Sequence, residues 1–154
     1  QARAALAGPA KQLGVEFEVD ALTAVVEFTE GYPYFLQEYG NTPWNQVDRS
    51  PVTAADVAVT RSAVEAKLDG GFFRVRAERT SELEQNYMRA MAELGPDPQA
   101  AKDVAALLGR TSQQVGPIRA RLIDKGLLYM PGRGLAAFTV PQFDRFMRRT
   151  YALQ

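Results

Sequence analysis

The chain contains no cysteine and no histidine. The first absence removes any disulfide framework, thiolate nucleophile or thiolate zinc ligand; the second removes the commonest general base and metal ligand. Most enzymatic mechanisms lose their usual residues at that point. No apolar run approaches the roughly 18 residues that a membrane span requires, and no basic-then-apolar signal segment opens the chain, which predicts a cytoplasmic protein without membrane partners. A glycine-rich phosphate loop followed by lysine is also missing, so the chain is not expected to be an enzyme or to carry a cofactor or metal of its own. Paired acids such as Glu16 and Glu18, or Glu82 and Glu84, have no basic or metal-ligating company and read as solvated helix ends.

What is present is ordinary globular material: 154 residues, 46% hydrophobic and 23% charged. That length accommodates one domain or two small ones. The first residue is Gln1, and residues 1–11 already read as the middle of a helix, which predicts a segment of a longer polypeptide. The formal net charge of zero hides an asymmetry. Residues 1–101 hold 9 Lys/Arg against 15 Asp/Glu, whereas residues 102–154 hold 9 against 3. A basic C-terminal portion suits phosphate contact, because neutralising phosphates releases condensed counterions.

The hydrophobic pattern predicts a mainly α chain. Residues 2–13 are alanine-rich and end at Gly14. Asp20 is positioned to cap a second helix with Ala21, Leu22, Val25, Val26 and Phe28 on one stripe, closed by Gly31. A third helix follows Pro33, interrupted or ended near residues 41–43, and a fourth opens at Thr53 with Asp56 three residues on, stopping at Gly70-Gly71. Residues 1–70 therefore read as a helical bundle and residues 71–78 as a connector. Residues 79–154 read differently. A helix over residues 81–94 carries Leu83, Tyr87, Met88, Met91 and Leu94 at helical spacing before Gly95-Pro96. A second helix covers residues 98–108, and a third runs from about Ser112 to Lys125 with Val115, Ile118 and Leu122 inward and Gly126 as a left-handed cap. Two helices across the tight turn 109–111 make a helix-turn-helix. Two short β-like runs flanking Pro131-Gly132-Arg133-Gly134 form a hairpin wing, and a last helix starts at Pro141. The pattern is that of a winged helix-turn-helix.

In such a module the second helix of the pair presents its N-terminal residues to the major groove. Here those residues are Ser112, Gln113, Gln114, Pro117 and Arg121; glutamine can pair with adenine and arginine with guanine. Arg133 at the wing tip is placed for the minor groove or phosphate, and Arg110, Arg119 and Lys125 for the backbone. Double-stranded DNA is thus one predicted partner. A protein partner is the alternative, since winged modules also serve as interaction or autoinhibitory domains.

Four segments carry a family resemblance: Gly31-Tyr32-Pro33-Tyr34-Phe35-Leu36-Gln37, Phe72-Phe73-Arg74-Val75-Arg76, the stretch from Tyr87 to Gly95, and the stretch from Ala137 to Arg149. In this order they resemble the C-terminal part of bacterial AAA+/STAND-type ATPases of the archaeal-ATPase-like group. The resemblance implies a lid-like bundle over residues 1–70, with Gly31 and Pro33 near bound nucleotide, followed by the winged helix. It implies an ATP- and Mg-dependent parent whose own N-terminal core is a partner of this segment. In the mechanism expected of such a parent, nucleotide near Pro33 sets the lid angle and the connector from Phe72 to Arg76 transmits it to the winged module. Walker A lysine and Walker B acid are both absent from the chain. From the residues alone, the Gly-Tyr-Pro break equally reads as an interhelical turn with aromatic packing.

Overall fold

A computed structural model describes residues 1–46 and 50–154. The chain is mainly helical with a small three-stranded antiparallel sheet, and it divides into two compact units, Gln1–Gly70 and Gly71–Gln154.

The first unit contains α1 (Ala2–Gln12), α2 (Val19–Thr29), α3 (Pro33–Gln46) and α4 (Ala54–Leu68). Each boundary has a chemical cause. Helix α2 ends on two successive left-handed residues, Glu30 (φ 52°) and Gly31 (φ 73°), braced by the Thr29 hydroxyl, which donates to Val25 O at 2.7 Å and accepts from Gly31 N at 3.3 Å. Pro33 then occupies the first position of α3, where its missing N–H costs nothing. Helix α4 opens with a capping box in which Thr53 and Asp56 satisfy one another's backbone N–H groups. Asp20, expected as a cap, lies inside the first turn of α2, and Glu18 precedes that helix. The core is Leu6, Ala21, Val25, Phe35, Tyr39, Val57 and Val64. Helices α1 and α3 approach closely at Gly40, where a Cβ would stand 2.7 Å from Leu6 Cδ2.

Gly70-Gly71 does not stop the helical path. A π-helical turn, Asp69–Phe73, leads into the short α5 (Arg74–Ala77). The stretch expected as a connector, residues 71–78, is therefore helical through Ala77 and contributes to the core of the second unit. Phe73 is buried, stacked on Phe146 with centroids 5.3 Å apart and edge-on to Phe143 at 5.8 Å.

The rest of the second unit follows as α6 (Glu82–Leu94), β1 (Gln99–Ala100), α7 (Ala101–Leu107), α8 (Ser112–Asp124), β2 (Leu128–Tyr129), β3 (Leu135–Phe138) and α9 (Phe143–Thr150). Helix α6 packs on α7, α8 and α9. Its inward stripe is Glu84, Tyr87, Met88 and Met91, and Leu83 and Leu94 are exposed instead of packing inward. Both α7 and α8 end in Schellman geometry on left-handed glycines: Arg110 N donates to Ala105 O past Gly109, and Leu127 N donates to Leu122 O past Gly126. Strand β3 lies between β1 and β2, with Gln99 opposite Ala136 and Leu128 opposite Phe138. Residues 98–100, expected in the helix of α7, form the approach to that helix and the edge strand β1. The last helix starts at Phe143 instead of Pro141, after a left-handed Gln142 (φ 66°).

Candidate functional site

Helix α8 begins behind Thr111, whose hydroxyl accepts from Gln114 N at 3.2 Å while Gln114 Oε1 accepts from Thr111 N at 2.9 Å. This capping box fixes the helix start and uses the Gln114 carboxamide oxygen locally. Ser112, Gln113 and Pro117 project from the same helix end and are exposed, as is Arg110 immediately before it. Among the described residues neither Arg110 nor Arg133 has a side-chain partner, and Arg133 sits exposed in the hairpin between β2 and β3. Leu135 N donates to Gly132 O at 3.1 Å, and Ala101 N donates to Gly134 O at 3.1 Å, so the hairpin is fastened both to itself and to the start of α7.

Arg119 and Lys125, read as backbone contacts, and Arg121, read as a major-groove contact, are engaged inside the unit. Arg119 is partly buried and donates from Nη2 to Leu135 O at 2.9 Å, tying α8 to β3. Its charge also faces Tyr87, whose hydroxyl is pushed up by burial and drawn back in part by Arg119. Arg121 Nε lies 3.1 Å from Glu84 Oε1, and Lys125 Nζ lies 2.7 Å from Glu84 Oε2. Glu84 is 1% exposed. It is not the solvated helix end its sequence context suggested. Burial pushes its carboxyl up, but hydrogen bonds from Lys125, Ser81 N–H and Arg121 outweigh that effect and hold it at about 2. One carboxylate thus closes the capping box of α6 and anchors two successive turns of α8. Sequence reasoning missed this residue, although Ser81-x-x-Glu84 is a capping-box signature and Arg121 and Lys125 share one helix face at i, i+4.

In the first unit, Gly31 and Pro33 line a groove of about 680 Å³ between α1 and α3. Its apolar wall includes Leu6, Phe17, Leu36 and Trp44. Among the described residues no group of three acids could hold a metal ion, and no helix is long and apolar enough to cross a membrane.

Ser112 and Gln113 at the exposed start of α8, Arg110 before it and Arg133 on the hairpin make no side-chain hydrogen bond or ion pair among the described residues. Residues 71–154 as a whole hold 13 Lys/Arg against 8 Asp/Glu. No curated protein matches the chain. Residues 70–147 match the model of a family described as a domain of unknown function, DUF8462, and the chain belongs to that family.

Proposed function

We propose that residues 71–154 are a winged helix-turn-helix that docks on double-stranded DNA, and that the chain is the C-terminal regulatory portion of a larger, cytoplasmic ATP-binding switch protein of AAA+/STAND type. The order helix, strand, two helices, two strands, with sheet order β1-β3-β2, supports the winged-helix reading. The observation that carries the DNA reading is the unengaged polar surface at the start of α8. Ser112 and Gln113 are exposed there, and Arg110 and Arg133 are available for phosphate. A helix of 13 residues, about 20 Å long, presented by its N-terminal turns fits the major groove. Arg121, Lys125 and Arg119 have structural duties, so Arg110 and Arg133 carry most of the phosphate attraction.

The groove beside Gly31 and Pro33 is consistent with a nucleotide-proximal role in an intact parent. A second reading, docking on a protein, is favoured by the apolar edge of the hairpin, where Tyr129 is 48% and Met130 54% exposed. Fluorescence-anisotropy titration of a mixed-sequence duplex separates the two. DNA docking predicts binding that weakens steeply with salt, with a log–log slope shallower by about 1 in each of Arg110→Ala and Arg133→Ala, since each arginine neutralises one phosphate. Absence of binding at low salt would leave only the protein reading.

A further inference from the structure

We propose that the cleft between α5 and the turn joining α8 to β2 binds a small phosphate-bearing ligand. This cleft, of about 450 Å³, is lined by Val75, Arg76, Arg79, Lys125, Gly126 and Leu127. Three of these six residues are cations and none is an acid. The volume falls in the range of small-ligand sites.

The three cations are prepared in different ways. Arg76 is fixed: its guanidinium lies 3.6 Å above the centre of the Phe72 ring, and Nη1 donates to Phe72 O at 2.9 Å. Lys125 is fixed too, donating to Glu84 at 2.7 Å and to Arg79 O at 3.1 Å. Those two bonds leave one of its three ammonium hydrogens for a ligand. Arg79 is exposed, and its guanidinium has no partner among the described residues.

The simpler explanation is that these cations neutralise the carbonyl ends of α5 and α8. It accounts for the Lys125 bond to Arg79 O. It does not account for the guanidinium of Arg79, which is spent on no carbonyl, nor for Arg76, whose carbonyl partner, Phe72 O, precedes α5 and does not lie at its C-terminal end. Glu84 offsets one charge behind Lys125 but is shared with Arg121. The cleft therefore stays cationic. Its backbone offers no anion nest, because the N–H groups of Lys125, Gly126 and Leu127 are spent on Arg121 O, Ile123 O and Leu122 O. Recognition falls to side chains, and two arginines suit the bidentate geometry of phosphate. Val75 and Leu127 supply an apolar edge for whatever bears the phosphate. Lys125 lies at the opposite end of α8 from Gln113, about 18 Å away along the helix, so the site is separate from the proposed DNA surface.

Isothermal titration calorimetry with inorganic pyrophosphate, at constant ionic strength, tests this assignment on the chain, Arg79→Gln and Arg110→Gln. Circular dichroism confirms that each variant is folded. The expected result is a saturable single site, about tenfold weaker in Arg79→Gln and unchanged in Arg110→Gln. No saturable heat, or equal weakening in both variants, would overturn the proposal, the latter by indicating diffuse attraction to a basic unit. A third arm adds a 20-base-pair duplex. Displacement of pyrophosphate by the duplex would reassign the cleft to a nucleic-acid backbone and also overturn the proposal, whereas undisturbed binding supports it.

Discussion

Replacing Glu84 by glutamine keeps the shape of the side chain and removes the charge that Arg121 and Lys125 share. The carboxyl sits at about 2 against an ordinary 4.5. At about 1.4 kcal/mol for each pH unit, that difference corresponds to about 3 kcal/mol of stabilisation. Arg121 and Lys125 are 50% and 39% exposed, and solvent screens part of the interaction, which brings the expected loss to about 2 kcal/mol. Because the folded value is depressed, the stabilisation is fully present above pH 4.5 and is lost as pH falls toward 2. Amide hydrogen exchange followed by mass spectrometry reads the effect locally. At pH 7 peptides from α6 and α8 in Glu84→Gln should exchange about 30-fold faster than in the parent. In urea unfolding, the gap between the two proteins should narrow as pH is lowered from 4.5 toward 2, because the parent's own carboxyl becomes neutral. Exchange within about twofold of the parent at pH 7, or a gap independent of pH, would refute the assignment of Glu84 as the anchor of α8.

Three other perturbations probe the same unit. Phe73→Ala removes a fully buried ring from the Phe143–Phe146 cluster and should cost about 3 to 5 kcal/mol in urea unfolding, whereas a true linker residue would cost under about 0.5 kcal/mol. Arg119→Met keeps the aliphatic stem and removes the bond to Leu135 O; faster amide exchange across β3 is expected, with a destabilisation of about 1 to 2 kcal/mol. Freeing Arg121 in Glu84→Gln should steepen the salt dependence of the proposed DNA binding, measured by anisotropy, by up to about 0.9.

Much of the fold is legible in the sequence because its boundaries are chemical. Thr53 and Asp56, Gly109, Gly126 and Gly134 of the hairpin each impose a local geometry that the neighbouring residues cannot override. The misreadings have equally local causes. The apolar residues of α6 suggest a phase that includes Leu83 and Leu94, because counting Glu84 as a surface acid hides the stripe 84, 87, 88, 91, which has regular helical spacing. Gly70-Gly71 reads as a stop, yet the demand of Phe72 and Phe73 for burial carries the helical path through it. Strand β1 is only two residues long and follows prolines at 96 and 98, leaving no alternation to detect. At the candidate site, the exposure of Ser112, Gln113 and Pro117 can be read from the α8 stripe they avoid, and that of Arg133 from the glycines of the hairpin around it. The engagement of Arg121 and Lys125 cannot, since Glu84 lies 37 and 41 residues away in sequence and only the packing of α6 on α8 brings them together.

The most direct test of the proposed docking surface is backbone amide chemical-shift mapping of the chain during titration with a mixed-sequence DNA duplex. The largest perturbations are expected at residues 110–116 and around Arg133, with α6 and α9 little changed. Perturbations confined to other surfaces, or none at low salt, would contradict the proposal.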